Sequence, residues 1–169
     1  MTVLEAINKR QSIRAYEDTP VEPEKLTKIL EAGRMAPSAN NAQAWKFIAV
    51  TDRALMPAMM DACNGQKFVG EAPAALVVCA TLERTMACGQ PAHTIDCSIA
   101  LSFMMLEAAE QGLGTCWLGS FNAEKVKKVL GVPEDCQVVA VTPLGYARGE
   151  TPLRGRRSLE EVTAMNGWQ

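Results

Sequence analysis

The stretch from Thr94 to Ser120, TIDCSIALSFMMLEAAEQGLGTCWLGS, limits the possible folds of this chain more than any other. Ile95, Cys97, Ile99, Ala100, Leu101, Phe103, Met104, Met105, Leu106, Ala108 and Ala109 follow one another closely enough to cover nearly the whole circumference of a helix. The polar interruptions are small, Ser98 and Ser102, or lie near the end, Glu107, Glu110 and Gln111. A surface helix carries one polar face, so a helix without one is buried on several sides. The apolar run is shorter than the ~18 residues a membrane span requires. A chain of 169 residues has few means of covering such a helix alone, and a second subunit is expected to help. The helix is expected to be capped at Thr94 or Asp96 and to stop at Gly112 and Gly114, with a strand over Thr115 to Leu118.

Length and charge narrow the function classes. The chain suits one domain spanning 1–169, or one dimer-forming domain. The net charge is −2, so bulk electrostatics point to neither nucleic acid nor an acidic membrane. Local charge differs from the average: Lys9, Arg10 and Arg14 make the start basic, and Arg148, Arg154, Arg156 and Arg157 do the same for the tail. MTVLEAINKR lacks a basic-then-apolar leader, which suggests a cytoplasmic protein. Six cysteines, none in a C-x-x-C pair, read as reduced core residues, and with His93 as the one histidine no zinc or iron–sulfur site is expected.

Taken in order, Thr2 and Glu5 have capping-box spacing at the start of a short helix. In the following KRQSIRAY, alternation puts Arg10, Ser12 and Arg14 on one side of an extended segment. Two guanidiniums and a hydroxyl there suit an anion or a polar ring edge; they equally suit a solvated basic turn. Pro23 opens a second helix that ends before Pro37. The loop holding Ser38, Asn40, Asn41 and Gln43 can present hydrogen-bonding groups to a heteroaromatic edge or a phosphate, or simply satisfy its own turn. It leads into a strand over Trp45 to Thr51. Ala54 to Cys63 reads as a helix, and NGQKFVGEAP as a loop with a helical turn. AALVVCA, Ala74 to Ala80, reads as a strand buried on both faces. Thr81 to His93 reads as a mobile segment over the surface. Asn122 caps a helix to Leu130, and Gln137 to Tyr146 is a last strand that Pro143 should place at an edge or bend.

No phosphate-loop motif occurs, Trp117 stands where a dinucleotide fingerprint needs its third glycine, and there is no G-x-S-x-G. His93 and Cys97 are four residues apart and could share a helix face, but no third group is visible to orient them as a catalytic pair. What remains is distributed: basic elements at both chain ends, amide-rich loops, and glycines where a flat ligand could meet backbone. Together these suit something anionic at one end and planar and polar at the other.

Over almost its whole length the chain resembles the FMN-dependent nitroreductase family. The resemblance is carried by R-Q-S-I-R at Arg10 to Arg14, A-P-S-A-N-N-A-Q-A-W at Ala36 to Trp45, A-P at Ala72 and Pro73, and D-x-x-x-A from Asp96 into G-L-G-T-C-W-L-G at Gly112 to Gly119. P-L-G-Y at Pro143 to Tyr146 and R-x-R-R-S-L-E-E at Arg154 to Glu161 complete it. It implies an α+β fold with a mainly antiparallel central sheet flanked by helices, in an intertwined homodimer with FMN at the subunit interface. Arg10, Gln11, Ser12, Arg154 and Arg156 would hold the phosphate and ribityl chain, with Arg157 able to replace Arg154. Arg14, Asn64 and Lys67 would reach the pyrimidine edge, with Gln66 able to replace Asn64. Pro37, Ser38, Ala39, Asn41 and Gln43 would come from the partner subunit, and the backbone at Leu118 and Gly119 would approach the ring face. The implied activity is NAD(P)H-dependent reduction of nitroaromatics, quinones or related small-molecule acceptors, by ping-pong hydride transfer through flavin N5. Alternatives within the fold are a reductive dehalogenase, a flavin-consuming enzyme, or a non-catalytic FMN-binding dimer. Ala39 and Ala44 depart from the family pattern, which has serine and proline at these positions, and the short Thr81 to His93 segment implies an open or small acceptor pocket.

Overall fold

A computed structural model describes residues 1–168. Its centre is a sheet of four antiparallel strands, β1 (Trp45–Val50), β2 (Ala74–Ala80), β3 (Gly114–Thr115) and β4 (Gln137–Gly145), in the order β1-β2-β4-β3. All seven residues of β2 are buried, as its unbroken apolar sequence requires of a strand covered on both faces. Ala75, Val77 and Cys79 enter one core, and Ala74, Leu76, Val78 and Ala80 the other.

Helices fill the two layers. On one face lie α3 (Met56–Ala62), α4 (Lys67–Glu71) and α6 (Ala123–Leu130), contributing Met56, Met59, Val69 and Val126. On the other lie α2 (Pro23–Arg34) and α5 (Ala92–Glu110), contributing Ile29, Leu101, Met104 and Ala108. The register of β2 against β4 shifts between Val78 and Cys79, leaving Val139 as an extra residue. Val139 and Ala140 therefore both face the α2–α5 layer, while Val138 and Val141 face the other, the expected result of a one-residue bulge.

Several sequence expectations hold. Helix α1 (Val3–Lys9) starts with a capping box: the Glu5 N–H donates to Thr2 Oγ1 at 3.3 Å and the Thr2 N–H donates to Glu5 Oε2 at 2.6 Å. Asn122 Oδ1 caps α6 by accepting from the Lys125 N–H at 3.0 Å. Other expectations are corrected. Helix α5 begins at Ala92 after Pro91, not at Thr94 or Asp96, which lie inside it, and the Asp96 carboxylate accepts the Ala39 N–H at 3.1 Å instead of capping the helix. The strand expected over Thr115 to Leu118 is only Gly114–Thr115, although the Leu118 N–H still donates to the Val141 C=O at 3.1 Å. Strand β4 is interior despite Pro143. Val141 and Pro143 face the same side by strand alternation, and there Thr142 Oγ1 supplies the missing connection: it accepts the Cys116 N–H and donates to the Pro143 C=O, both at 2.9 Å.

On this chain α5 is covered over only part of its circumference. Phe103 and Ser102 are exposed, and Ile95, Ile99 and Leu106 are half-buried, forming one stripe along the helix. The tail from Pro152 to Trp168 is exposed throughout, Leu153, Leu159, Met165 and Trp168 included. Among the described residues no helix is long and apolar enough to cross a membrane.

Candidate functional site

The basic segment after α1 runs along the β3 side of the sheet. Ser12 pairs with Thr115 in parallel, with the Ile13 N–H donating to the Thr115 C=O at 2.9 Å. Tyr16 then pairs with Ala147, and its hydroxyl donates to the Ile13 C=O at 2.8 Å. Ile13 and Tyr16 are buried, Arg10 and Ser12 are half-buried, and Arg14 is exposed. Arg10, Ser12 and Arg14 all act on the thiol of Cys116, the residue after Thr115. Burial pushes its thiol above the ordinary value, opposed by the Arg14 charge, the Ser12 hydrogen bond and the Arg10 charge, in that order. None of the ion pairs among the described residues uses Arg10 or Arg14. Gln11 Nε2 donates to the Asn8 C=O at 3.1 Å, and Gln11 lines a small cavity together with Arg10 and Ile13.

A second group converges from the α3–α4 turn. Asn64 Nδ2 donates to Ser120 Oγ at 2.9 Å, and Gln66 Nε2 donates to the Ser120 C=O at 2.8 Å. These bonds draw Asn64 and Gln66 to the segment holding Leu118 and Gly119, and Lys67 opens α4 directly after them. Leu118 is buried. Gly119 is exposed, and a Cβ built on it meets no atom within 4 Å. Backbone there borders open space that a flat ligand could fill.

The third group lies elsewhere. Pro37 to Gln43 forms a loop in which Asn40, Asn41 and Gln43 all have φ between 51° and 55°, a left-handed conformation costing a non-glycine residue about 1 kcal/mol. Inside the loop, Ser38 Oγ accepts the Gln43 N–H at 3.0 Å, and Gln43 Nε2 donates to the Asn41 C=O at 3.3 Å. Outside ties grip Ala39 at both ends of its backbone: Asp96 Oδ1 accepts its N–H at 3.1 Å, and Arg84 Nη2 donates to its C=O at 2.6 Å. Sequence reading missed Arg84 and Asp96 as supports. Asp96 had a visible signal, being the one carboxylate within the apolar front of α5; Arg84 had none.

Ser12 and Ser38 stand at opposite corners of the sheet. Trp45, just after the loop, faces Ala80, which faces Gln137, whereas Thr115, beside Ser12, faces Leu144 at the far end of β4. Three strand spacings separate the edges, roughly 14 Å, and the offset along β4 adds roughly 20 Å. Helix α5 gives an independent measure. From Asp96, which holds Ala39, it runs 14 residues further to Glu110, next to Gly114 and Thr115, roughly 21 Å at 1.5 Å per residue. One chain therefore does not bring the two groups together. Arg154 and Arg156 lie in the tail beyond β4. They are exposed in the tail, where Arg156 donates only to the Arg154 and Gly155 carbonyls among the described residues.

His93 and Cys97 form no catalytic pair. Burial pushes the Cys97 thiol up to about 12, and His93 Nδ1 lies 3.3 Å from both the backbone N and O of Arg84. Among the described residues no cluster of His, Cys, Asp and Glu could hold a metal ion.

Comparison with known proteins bears on this arrangement. A sequence model of the Nitroreductase family matches residues 7–146. An NADH dehydrogenase of Thermus thermophilus is 33% identical over 186 aligned positions, covering 91% of this chain and 91% of that protein. An FMN-dependent nitroreductase of Clostridium difficile superposes with a TM-score of 0.85 at 30% identity, covering 98% of this chain and 99% of that one. A second nitroreductase family protein of Clostridium difficile superposes with a TM-score of 0.89 at 28% identity over 99% and 100%. The fold, the ordered motifs and these matches lead to one conclusion: the chain belongs to the nitroreductase family.

Proposed function

We propose that this protein is an FMN-dependent oxidoreductase in which NADH or NADPH reduces a small electron acceptor such as a nitroaromatic or a quinone. The observation that carries the reading is the segment of Arg10, Ser12 and Arg14 running beside β3, whose two guanidiniums have no carboxylate partner among the described residues. Unpaired guanidiniums beside a hydroxyl fit a phosphate dianion, which accepts forked, charge-assisted bonds, and the open space at Gly119 fits a planar ring. Bound FMN supplies hydride transfer between the nicotinamide and the acceptor. The chain's own groups bind and orient. Arg10 and Ser12 hold the phosphate end, and Arg14 and Lys67 place positive charge at the pyrimidine edge, where it favours the anionic reduced ring. Asn64 or Gln66 faces that edge, and the Leu118–Gly119 backbone lies against the ring. No nucleophile is needed, and the buried Cys97 and Cys116 thiols stay protonated at neutral pH.

The working unit is a homodimer, each copy forming one FMN-binding domain. The uncovered apolar stripe of Ile95, Ile99, Phe103 and Leu106 supports this reading, since a two-fold interface puts the same patch of both copies in contact. Two antiparallel copies of α5 pair the Asp96 end of one with the Gly114 end of the other. Pro37, Ser38, Ala39, Asn41 and Gln43 of one copy thereby reach the Arg10 corner of its partner. The exposed apolar tail, carrying Arg154 and Arg156, crosses in the same way. Six free cysteines suit a cytoplasmic location, where thiols stay reduced.

The purified protein is expected to be yellow, to release FMN on denaturation, and to run at twice 18.3 kDa by light scattering. Anaerobic NADH or NADPH should bleach it, and a nitroaromatic or quinone should restore the colour. A colourless protein that FMN does not reconstitute overturns the reading. A yellow dimer that neither nucleotide bleaches reduces it to a flavin-binding scaffold.

A further inference from the structure

We propose that Arg84 and Asp96 are positioning residues for the cofactor, gripping the Ala39 peptide so that the Pro37–Gln43 loop presents a fixed backbone to the FMN of the partner subunit. This rests on the FMN reading above. The grip is two-sided: the Ala39 N–H goes to Asp96 Oδ1 on α5, and its C=O accepts from Arg84 Nη2 on the segment after β2. Both bonds are charge-assisted, and Asp96 is only 6% exposed, where its carboxylate has little water to turn to. The loop requires such support because Asn40, Asn41 and Gln43 all hold left-handed backbone. Its internal Ser38–Gln43 bond closes the turn but ties it to nothing else.

Arg84 also connects two parts of the site. It belongs to the segment that turns back at Met86–Gln90, where the Met86 N–H donates to the Gln90 C=O at 2.9 Å and Thr85 pairs with Pro91. The Ala92 N–H returns to the Arg84 C=O at 2.8 Å, so the arginine stands on a closed turn adjoining α5. Displacement of that turn pulls on Ala39, and a loosened loop releases Arg84. Cofactor retention and the position of the 81–91 segment are therefore linked.

The test compares Arg84→Ala, Arg84→Lys, Asp96→Ala and Asp96→Asn with wild type, using quenching of flavin fluorescence to measure FMN affinity and thermal unfolding of the apoprotein to measure stability. Arg84→Ala should weaken FMN binding about tenfold with little change in apoprotein stability, because Arg84 lies outside the core clusters. Arg84→Lys should restore part of the loss. Asp96→Asn keeps an oxygen acceptor for the Ala39 N–H and should bind FMN better than Asp96→Ala. Arg84→Ala combined with Asp96→Asn should lose less than the sum of the two losses, as expected of residues acting on one peptide. Glu83→Ala, next in sequence, should bind as wild type does. If Asp96→Ala fails to fold, Arg84→Ala and Asp96→Asn still decide the matter. Wild-type affinity in Arg84→Ala, or in Asp96→Asn and Asp96→Ala alike where both fold, overturns the proposal. A wild-type protein that does not bind FMN overturns instead the function on which it rests.

Discussion

Replacing Arg10 with alanine is expected to raise the dissociation constant for FMN about a hundredfold. The guanidinium has no carboxylate partner among the described residues, so its removal frees no buried acid and leaves the phosphate as the group that loses contacts. Hydrogen bonds to charged groups contribute about 1.5–3 kcal/mol each. An arginine can make two to one phosphate, and about 1.4 kcal/mol corresponds to a decade of affinity. Arg10→Lys should recover part of the loss, since an ammonium is a point charge without the planar fork. Folding should change little. Arg10 closes α1 through its backbone N–H, which donates to the Ala6 C=O at 2.9 Å and survives the substitution. Glu83→Ala serves as the comparison and should retain FMN. Fluorescence titration of the apoproteins measures both, and equal affinity in the two variants would remove Arg10 from the site.

What could be read from the sequence was mostly local. The Thr2–Glu5 box, the Asn122 cap and the wholly buried AALVVCA strand are signals spanning three to seven residues, each with a physical cause that acts over the same distance. The alternation of Arg10, Ser12 and Arg14 is of this kind, and the segment that carries them bridges to β3 at Thr115. Errors arose where a local signal had a distant partner. Asp96 looks like a helix cap because aspartate often is one, yet its carboxylate serves a backbone N–H 57 residues away. Pro143 looks like an edge residue because it cannot donate to a ladder, yet the Thr142 hydroxyl bridges the gap to Cys116. Arg84 was invisible because nothing near it in sequence shows that it will meet Ala39. The surplus apolar surface of α5 was legible as a need for cover. Only the strand register shows that its two ends stand near opposite corners of the sheet.

Two glycines five residues apart, Gly114 and Gly119, should differ in how alanine affects stability, and the contrast tests how the fold carries the site. Gly114→Ala is expected to destabilise the protein by about 1–3 kcal/mol, the usual cost of forcing extra volume into a packed interior, and to weaken FMN binding as well. A Cβ on Gly114 would come 2.8 Å from the Ile13 Cβ and 3.1 Å from its Cγ2. The Ile13 Cβ is fixed to the backbone, so no rotamer change relieves the contact and the segment itself must move. That segment is held by the Ile13 N–H bond to the Thr115 C=O, and it carries Ser12 and Arg14 on either side of Ile13. Gly119→Ala meets nothing within 4 Å and its φ is not in the left-handed range, so stability should be unchanged. Its methyl group, however, projects into the space assigned to the flavin ring, and FMN affinity should fall. Urea denaturation of the apoproteins and flavin titration separate the two effects. If Gly114→Ala folds as stably as wild type, Ile13 does not hold Ser12 and Arg14 in place as described. If Gly119→Ala binds FMN unchanged, the ring does not lie against that backbone, and the open face of the site must be sought on the Asn64–Lys67 side.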